Sequence, residues 1–176
     1  MKVLAFDVGG TTIKGGLVDE KLKIQEKFIE DTPKREDTFI SLIEEIHDRF
    51  SDETHKVSLG MPGFVDNDSH IFKYGTNMKF SIDFKKLGFA KEKKIYLEND
   101  GNLAAYSEYL SHFKNDYKNL IMLTFGTGVG GGIIYNSEIF KGSGNAGEIG
   151  RILINEKSYL EDVISAKAWT KKCQEL

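Results

Sequence analysis

The apolar and polar positions of this chain alternate in short runs that predict strands, with longer stretches that predict helices. Apolar runs bounded by glycine, asparagine or aspartate are typical of strands. They predict strands at 2–7, 13–18, 24–29, 57–59 and 95–97, a hairpin within 122–134, and a strand near 151–154. Apolar residues at helical spacing predict helices at 36–50, 103–113 and 161–173. The polar stretch 64–94 is predicted to be irregular.

The order of these elements predicts an α/β protein with two domains. Three strands, a helix and further strands come first, and the hairpin pattern restarts near residue 120. A chain of 176 residues is long enough for one large domain or two small ones. We therefore predict an N-terminal domain over 1–110 and a C-terminal domain over 111–176.

Two hairpins share the same pattern of an apolar strand, a turn of glycine and threonine, and a second apolar strand. The first turn contains Gly9, Gly10, Thr11 and Thr12, and the second contains Gly126, Thr127 and Gly128. Glycine lets the backbone approach a ligand closely, and successive N–H groups in such turns bind anions, with threonine hydroxyls as further donors. Two such turns predict a polyphosphate held from both sides. The simpler alternative is a pair of tight turns without a ligand.

The second turn also satisfies the G-x-G-x-x-G pattern of dinucleotide-binding folds, at 126–131. That fingerprint requires a strand before the glycines and a helix after them. Residues 132–135 continue as a strand, so the dinucleotide interpretation fails. Neither turn ends in Gly-Lys-Ser/Thr, which excludes a P-loop of the Walker A type.

Polar residues near the first turn and after a later strand are candidates for chemistry. Asp7 ends an apolar strand, where it either initiates the turn or holds Mg²⁺ beside phosphates, directly or through water. Lys14 is either an exposed strand residue or a phosphate contact. Asn99 and Asp100 follow a strand, at the edge where α/β sheets bind ligands. Either they cap the next helix, or Asp100 accepts the proton of an attacking hydroxyl group.

Composition and charge narrow the range of partners. A net charge of −3 at pH 7 and a pI near 5.8 provide no positive surface for nucleic acid or an anionic membrane. A single cysteine, Cys173, excludes an internal disulfide and a cysteine-rich zinc site. The sequence shows neither a signal peptide nor an apolar run of about 20 residues, so we expect a cytoplasmic protein.

Four longer motifs are more specific together than either turn alone. They are Asp-Val-Gly-Gly-Thr-Thr-Ile-Lys at 7–14, Leu-Glu-Asn-Asp-Gly-Asn-Leu-Ala-Ala at 97–105, Gly-Thr-Gly-Val-Gly-Gly-Gly at 126–132 and Gly-Asn-Ala-Gly-Glu-Ile-Gly at 144–150. In this order they resemble the ROK family of repressors, open reading frames and kinases, along essentially the whole chain. The resemblance implies an actin-like (ribonuclease H-like) ATPase fold, with two related α/β domains and a cleft between them. It also implies a homodimeric kinase that transfers the γ-phosphate of ATP, with Mg²⁺, to the primary (6-) hydroxyl of a hexose.

The resemblance further implies roles for individual residues. Asp100 matches the general base that deprotonates the sugar hydroxyl. Residues implied to bind the sugar are Asn77, Asn99, Asp100, Glu148 and Glu161. Residues implied to bind ATP are Gly9, Gly10, Thr11, Thr12, Lys14, Gly126, Thr127 and Gly128, with Asp7 toward Mg²⁺. Simpler alternatives are a solvated loop charge for Glu148 and a carboxylate at a helix N-terminus for Glu161.

The chain departs from the family pattern where many members carry a zinc loop. Typical members have histidine after Gly-Glu-Ile-Gly and then several cysteines, whereas this chain has Arg151 and no cysteine in 152–158. A structural zinc site needs four thiolate or imidazole ligands, so we predict no zinc. Arg151 is expected to read a sugar hydroxyl, pair with a carboxylate, or turn to solvent. Its presence opens the substrate choice to glucose, another hexose, a glucoside or an N-acetylated amino sugar.

The second departure concerns length. Family kinases continue past the equivalent of Leu176 into an adenosine-binding segment, so we expect a partial second domain here. Alternatives to a kinase are a sugar-responsive regulator, a sugar-binding fragment without activity, and another actin-like phosphotransferase. The regulator is disfavoured because its DNA-binding segment would precede a first strand that already begins at Val3.

Overall fold

The computed structural model describes residues 1–75 and 78–174 of the chain. The chain forms two compact units, Met1–Asp100 (unit 1) and Gly101–Leu176 (unit 2). Its elements in order are β1 (Val3–Val8), β2 (Thr12–Val18), β3 (Ile24–Asp31), α1 (Glu36–Arg49), β4 (Lys56–Met61), β5 (Phe64–Asp66), β6 (Ile71–Tyr74), β7 (Ile82–Asp83), β8 (Lys94–Asn99), α2 (Asp100–Glu108), β9 (Leu120–Phe125), β10 (Val129–Tyr135), β11 (Glu138–Ile139), β12 (Leu153–Asn155), β13 (Ser158–Tyr159), α3 (Glu161–Ile164) and α4 (Ala166–Gln174). Short 3-10 turns lie at Phe84–Lys86, Gly88–Lys91 and Ile149–Arg151, and α2 runs into one π-helical turn at Tyr109–Phe113.

Unit 1 is built on a five-stranded sheet with the order β3-β2-β1-β4-β8. The first three strands form the predicted antiparallel meander, and β4 and β8 extend it as parallel strands beside β1. The carboxyl ends of β1, β4 and β8 therefore lie at one edge of the sheet. This edge carries the end of the first hairpin strand and the start of α2.

One face of this sheet is apolar because side chains alternate along each strand. In β1, Leu4, Phe6 and Val8 are buried, whereas Asp7 is exposed on the other face. Helix α1 covers the apolar face with side chains at helical spacing. The buried residues of α1 are Phe39, Ile43, Ile46 and His47.

The prediction of an irregular segment at 64–94 is wrong. The strands β5, β6 and β7 form a small antiparallel sheet there, followed by two 3-10 turns. Val65, Phe72 and Ile82 of this sheet are buried in the core of unit 1. Strands of two to four residues are too short for their alternation to stand out from a loop.

Unit 2 contains a three-stranded antiparallel sheet with the order β11-β10-β9. Its core joins Ala105 and Tyr109 of the α2 helix and its π turn to Ile134 of β10. The helix lies close to β10 because Gly132 carries no side chain: a Cβ there would lie 2.5 Å from the Ala105 Cβ and 3.0 Å from the Gly101 carbonyl oxygen. This glycine of the second hairpin is thus required for packing.

Two helix predictions differ from the structure in their bounds. Helix α2 begins at Asp100, ahead of the predicted start near Leu103. The helix predicted over 161–173 is divided into α3 and α4, because Ser165 has extended backbone (φ −70°, ψ 157°). The Ser165 hydroxyl oxygen accepts a hydrogen bond from the Ala168 N–H (3.1 Å) and so caps α4. None of the helices in the described residues has the length and apolar character needed to span a bilayer.

Candidate functional site

The first glycine loop follows β1 and is held in shape by bonds to its own carbonyl oxygens. The Gly9 N–H donates to the Thr12 carbonyl oxygen (2.9 Å). Thr32, just after β3, donates its hydroxyl to the Gly9 oxygen (2.8 Å) and its N–H to the Thr11 oxygen (2.8 Å). The Lys34 ammonium donates to the Gly10 oxygen. These bonds fix the turn without using a loop side chain.

Asp7 and Lys14 are direct neighbours on the exposed face of the sheet beside this loop. The two residues are paired in the antiparallel register of β1 and β2, so their side chains project from the same face. On its other side Asp7 is paired with Gly60 of β4, which has no side chain to crowd the carboxylate. The structure thus places a carboxylate and an ammonium group next to the predicted phosphate loop.

The Asp7 carboxylate fits the requirements of a magnesium ion held together with phosphates. No group of three or more His, Cys, Asp or Glu side chains among residues 1–75 and 78–174 is placed to hold a metal ion. Magnesium is usually bound through one or two carboxylates plus substrate phosphates, with water completing the shell. One carboxylate with open space beside it is therefore a sufficient protein contribution.

Asn99 and Asp100 lie where β8 ends and α2 begins, and the strand end is held by a network of bonds. The Asn99 amide donates to the Gly63 carbonyl oxygen (3.1 Å), and the Asn99 N–H donates to Glu98 Oε1 (3.0 Å). The other oxygen of Glu98, Oε2, accepts from the Asn67 amide (3.2 Å), which also donates to the Leu97 carbonyl oxygen. The half-buried Asp100 leaves the strand from this fixed position.

Unit 1 by itself brings the first glycine loop and Asp100 to one edge of one sheet. The loop follows β1, Asp100 follows β8, and only β4 lies between these parallel strands. Neighbouring strands are roughly 5 Å apart, so the two strand ends are separated by about 10 Å. That spacing suits a phosphate on the loop and a proton acceptor beside its target. Asn77 lies outside the described residues.

The second glycine loop, between β9 and β10 in unit 2, is anchored by the segment that carries Glu161. The Gly126 N–H donates to the Gly128 oxygen (3.0 Å), which closes the turn. The Ala166 N–H, at the start of α4, donates to the Gly126 oxygen (2.9 Å). Glu161 Oε2 accepts from the Val129 N–H (3.4 Å). Thr127 is exposed at the tip of the loop.

Glu148, Arg151 and Glu161 form a charged cluster next to this loop. Arg151 Nε lies 3.2 Å from Glu161 Oε1, so Arg151 pairs with a carboxylate, which is one of the environments expected for it. Burial raises the pKa of the Glu148 carboxyl group, the positive charge of Arg151 opposes the rise, and the negative charge of Glu161 adds to it. The three side chains therefore interact electrostatically.

A family model described as ROK family matches residues 3–174. The chain belongs to the ROK family. Two curated relatives of this ROK chain are sugar kinases. The N-acetyl-D-glucosamine kinase of Mannheimia succiniciproducens is 33% identical over 159 residues, which cover 85% of this chain and 52% of that protein. The glucokinase of Halalkalibacterium halodurans is 33% identical over 165 residues, which cover 86% of this chain and 49% of that protein.

The ROK chain spans about half the length of the curated relatives it matches. Among solved structures it is similar to a ROK family glucokinase from Streptomyces griseus in complex with glucose and AMPPNP, with a TM-score of 0.82 at 25% identity over 99% of this chain and 61% of that chain. It is also similar to a ROK family transcriptional regulator, described as a homolog of E. coli MLC protein, with a TM-score of 0.85 at 19% identity over 99% of this chain and 49% of that chain. The second likeness shows the fold alone. The actin-like ATPase fold expected from the motifs is confirmed.

Several contacts of the ROK chain were not anticipated from its sequence. Thr32 and Lys34 bind the carbonyl oxygens of the first loop, and Asn67 and Glu98 hold the end of β8. The position of Thr32 could have been inferred from the antiparallel pairing of β2 and β3. This register pairs Thr12 with Asp31, so the next residue, Thr32, lies beside the loop. No sequence spacing points to Asn67, because its bond to Glu98 depends on the packing of the unpredicted β5–β6 hairpin.

A surface depression of about 620 Å³ lies at the start of α1. It is lined by Lys34, Arg35, Glu36, Asp37, Ile40, Lys79 and Phe80. Among residues 1–75 and 78–174, none of those predicted to bind sugar, phosphate or magnesium lines it. It adjoins the first glycine loop through Lys34, whose ammonium group donates to the Gly10 oxygen.

Proposed function

We propose that this chain carries the phosphoryl-transfer chemistry of an ATP-dependent sugar kinase. The observation that supports this most strongly is the common edge in unit 1, where the first glycine loop and Asp100 follow strands separated only by β4. The sugar-kinase names of the relatives give independent support. Phosphoryl transfer depends mainly on positioning and charge stabilisation, which a loop and a carboxylate on a rigid sheet edge supply.

The phosphates of ATP are proposed to lie against the glycine loops. In unit 1 the donors are the backbone of Gly9–Thr12 and the ammonium group of Lys14, and in unit 2 the backbone of Gly126–Gly128. Magnesium, held by Asp7 and the phosphates, would neutralise the charge that develops on the phosphate oxygens. The exposed Asp7 carboxylate with Gly60 beside it supports this assignment.

Asp100 is proposed to act as the general base toward the primary, 6-hydroxyl group of a hexose. The hydroxyl oxygen attacks the γ-phosphorus, the bond from that phosphorus to the β–γ bridging oxygen breaks, and the hydroxyl proton moves to the Asp100 carboxylate. ADP then leaves with the bridging oxygen. The bonds that fix Asn99 against Gly63 and Glu98 support this role, because they hold the neighbouring backbone of Asp100 in place.

The acceptor is proposed to be glucose or a related sugar, held by Asn77, Asn99, Asp100, Glu148 and Glu161. The two kinds of kinase among the relatives leave a choice between an unmodified hexose and an N-acetylated amino sugar. Arg151 replaces the histidine of typical members and pairs with Glu161, so it alters the surroundings of two of these carboxylates. The acceptor is therefore best found by direct comparison of sugars.

The proposal is tested by coupled ADP release over a panel of glucose, mannose, a β-glucoside, N-acetylglucosamine and N-acetylmannosamine. We expect ADP formation that depends on one of these sugars and on Mg²⁺. Equal ADP formation without sugar would indicate a different actin-like ATPase. Sugar binding by calorimetry without ADP formation would instead favour a regulator-type or catalytically incomplete ROK chain.

A further inference from the structure

We infer that Arg151 and Glu161 form a strap that holds the second glycine loop in its phosphate-binding shape, so that Glu161 is a positioning residue for the donor loop. The inference rests on the proposed function, because it takes Gly126–Gly128 as a phosphate-binding loop. This role is additional to the contact with the sugar that is proposed above for Glu161. All residues of the strap lie in unit 2.

The first step is the contact of Glu161 with the loop backbone. Glu161 Oε2 accepts a hydrogen bond from the Val129 N–H at 3.4 Å. The same oxygen would lie 2.5 Å from a Cβ at Gly128, so the carboxylate occupies the space next to that glycine. At 3.4 Å this bond is longer than an ordinary charge-assisted hydrogen bond, so the contact rests on the attraction between the carboxylate and the N–H together with the close approach to Gly128.

The second step is the bond that holds the other oxygen of the carboxylate. Arg151 Nε lies 3.2 Å from Glu161 Oε1, and the Arg151 guanidinium also lies over the Tyr159 ring, 5.8 Å from its centre. The Glu161 side chain is 21% exposed and that of Arg151 50% exposed, so the carboxylate is the more shielded partner. A shielded carboxylate with both oxygens bonded to the protein has a fixed orientation.

The third step is the backbone on which Arg151 itself is mounted. Arg151 ends the 3-10 turn at Ile149–Arg151, and this turn packs directly on β10. A Cβ at Gly150 would lie 2.0 Å from the Val129 carbonyl oxygen, so the turn contacts the same residue whose N–H bonds Glu161. The position of Arg151 and the end of the loop are therefore both set by the same strand, β10.

A second anchor fixes the other end of the loop. The Ala166 N–H donates to the Gly126 carbonyl oxygen at 2.9 Å. Glu161 and Ala166 belong to one short segment, α3 with the start of α4. This segment therefore bonds to the loop at both ends, at Gly126 and at Val129. Glu148 lies just before the 3-10 turn and interacts with both charges of the strap. Arg151 thus interacts both with Glu148, which is proposed to bind the sugar, and with Glu161, which contacts the loop proposed to bind phosphate.

The test compares the full 176-residue chain with its Arg151→Ala, Glu161→Gln and double variants. The matched control is Lys157→Ala, which removes one positive charge from the exposed turn between β12 and β13. Hydrogen exchange of the peptide covering 126–132 reports the loop without any ligand. Calorimetry with Mg²⁺ and AMPPNP reports donor binding, and calorimetry with the acceptor sugar reports sugar binding.

We expect Arg151→Ala to speed exchange in this peptide and to weaken AMPPNP binding, each by about three- to tenfold, with a smaller change in sugar affinity. In the Glu161→Gln background the same change should add little, because the ion pair has already lost its negative charge. Lys157→Ala should behave as the wild type.

Unchanged exchange and unchanged AMPPNP affinity in Arg151→Ala would overturn the strap, and so would a loss confined to sugar affinity. Additive effects in the double variant would also contradict it. The exchange measurement needs no nucleotide. A wild-type chain that neither binds AMPPNP nor phosphorylates a sugar would therefore contradict the proposed function, while the exchange result would still decide the strap.

Discussion

Glu148 shows how a single side chain reports the environment of the candidate site. It is half-buried in unit 2, and burial raises the pKa of its carboxyl group above the ordinary glutamate value. The positive charge of Arg151 opposes this rise and the negative charge of Glu161 adds to it. The ionised form of Glu148 is consequently less favourable in the folded chain than in the unfolded chain.

The raised pKa of Glu148 determines the direction in which the stability of the protein changes with pH. The folded state holds the proton more tightly, so the free energy of unfolding falls as pH rises from the unfolded pKa, about 4.3, through the raised folded pKa. Glu148→Gln removes the effect. We therefore expect the variant to gain stability relative to wild type between about pH 4 and about pH 8, measured by urea unfolding.

A matched comparison separates this effect from a general loss of negative charge. Glu156→Gln removes a carboxylate from the exposed segment between β12 and β13. A relative stability of Glu148→Gln that is the same at both ends of the pH range would contradict the assignment of the shift to Glu148.

At the scale of elements, the packing of α2 on β10 depends on one glycine of the second hairpin. A Cβ at Gly132 would meet the Ala105 Cβ at 2.5 Å and the Gly101 oxygen at 3.0 Å. Overpacking of this kind costs about 1–3 kcal/mol. We expect Gly132→Ala to lower the free energy of unfolding by this amount in denaturant titration, because helix and strand must separate.

Gly126 provides the control for this change, since a Cβ there would meet no atom within 4 Å among the described residues. Gly126→Ala should alter the free energy of unfolding by no more than about 0.5 kcal/mol. Equal destabilisation by the two substitutions would show that loss of glycine, rather than contact with α2, sets the cost.

Much of the element pattern follows from the sequence, because strands β1 to β3 and helix α1 have enough residues to show a period. The sheet at 64–83 was missed because its strands have at most four residues. The break at Ser165 was missed because no glycine or proline marks it. It arises when the serine side chain caps α4 instead of continuing α3.

The same reasoning applies to the candidate site. The closeness of the first loop to Asp100 can be predicted from the sequence if β1 and β8 are taken as parallel strands of one sheet. Their carboxyl ends then lie at the same edge. The pairing of Arg151 with Glu161 does not follow, because the sequence allows several environments for Arg151 and the pair depends on the packing of its 3-10 turn on β10.

At the scale of the whole molecule, the two units differ in the size of their apolar cores. The core of unit 1 includes buried residues from all five strands of the large sheet and from α1. The core of unit 2 is centred on Ala105, Tyr109 and Ile134. Because burial of apolar surface is the main favourable term in folding, unit 2 should open more readily.

Hydrogen exchange at increasing urea concentrations measures this difference within one sample. We expect amides of β9 and β10 to exchange through openings of lower free energy than amides of β1 and β4. A single opening free energy shared by both sheets would instead show that the chain unfolds as one cooperative unit.

The most direct test of the kinase proposal is the rate of sugar-dependent ADP formation by the wild-type chain and by Asp100→Asn. Asparagine keeps the size and shape of the aspartate at the first position of α2 but cannot accept the hydroxyl proton. Asp116→Asn, at an exposed aspartate after the π turn, is the control. We expect Asp100→Asn to lose about 10²- to 10⁴-fold in rate with unchanged urea unfolding, and Asp116→Asn to keep the wild-type rate. An Asp100→Asn chain that turns over as fast as wild type, or a wild-type chain that phosphorylates none of the sugars, would contradict the proposal.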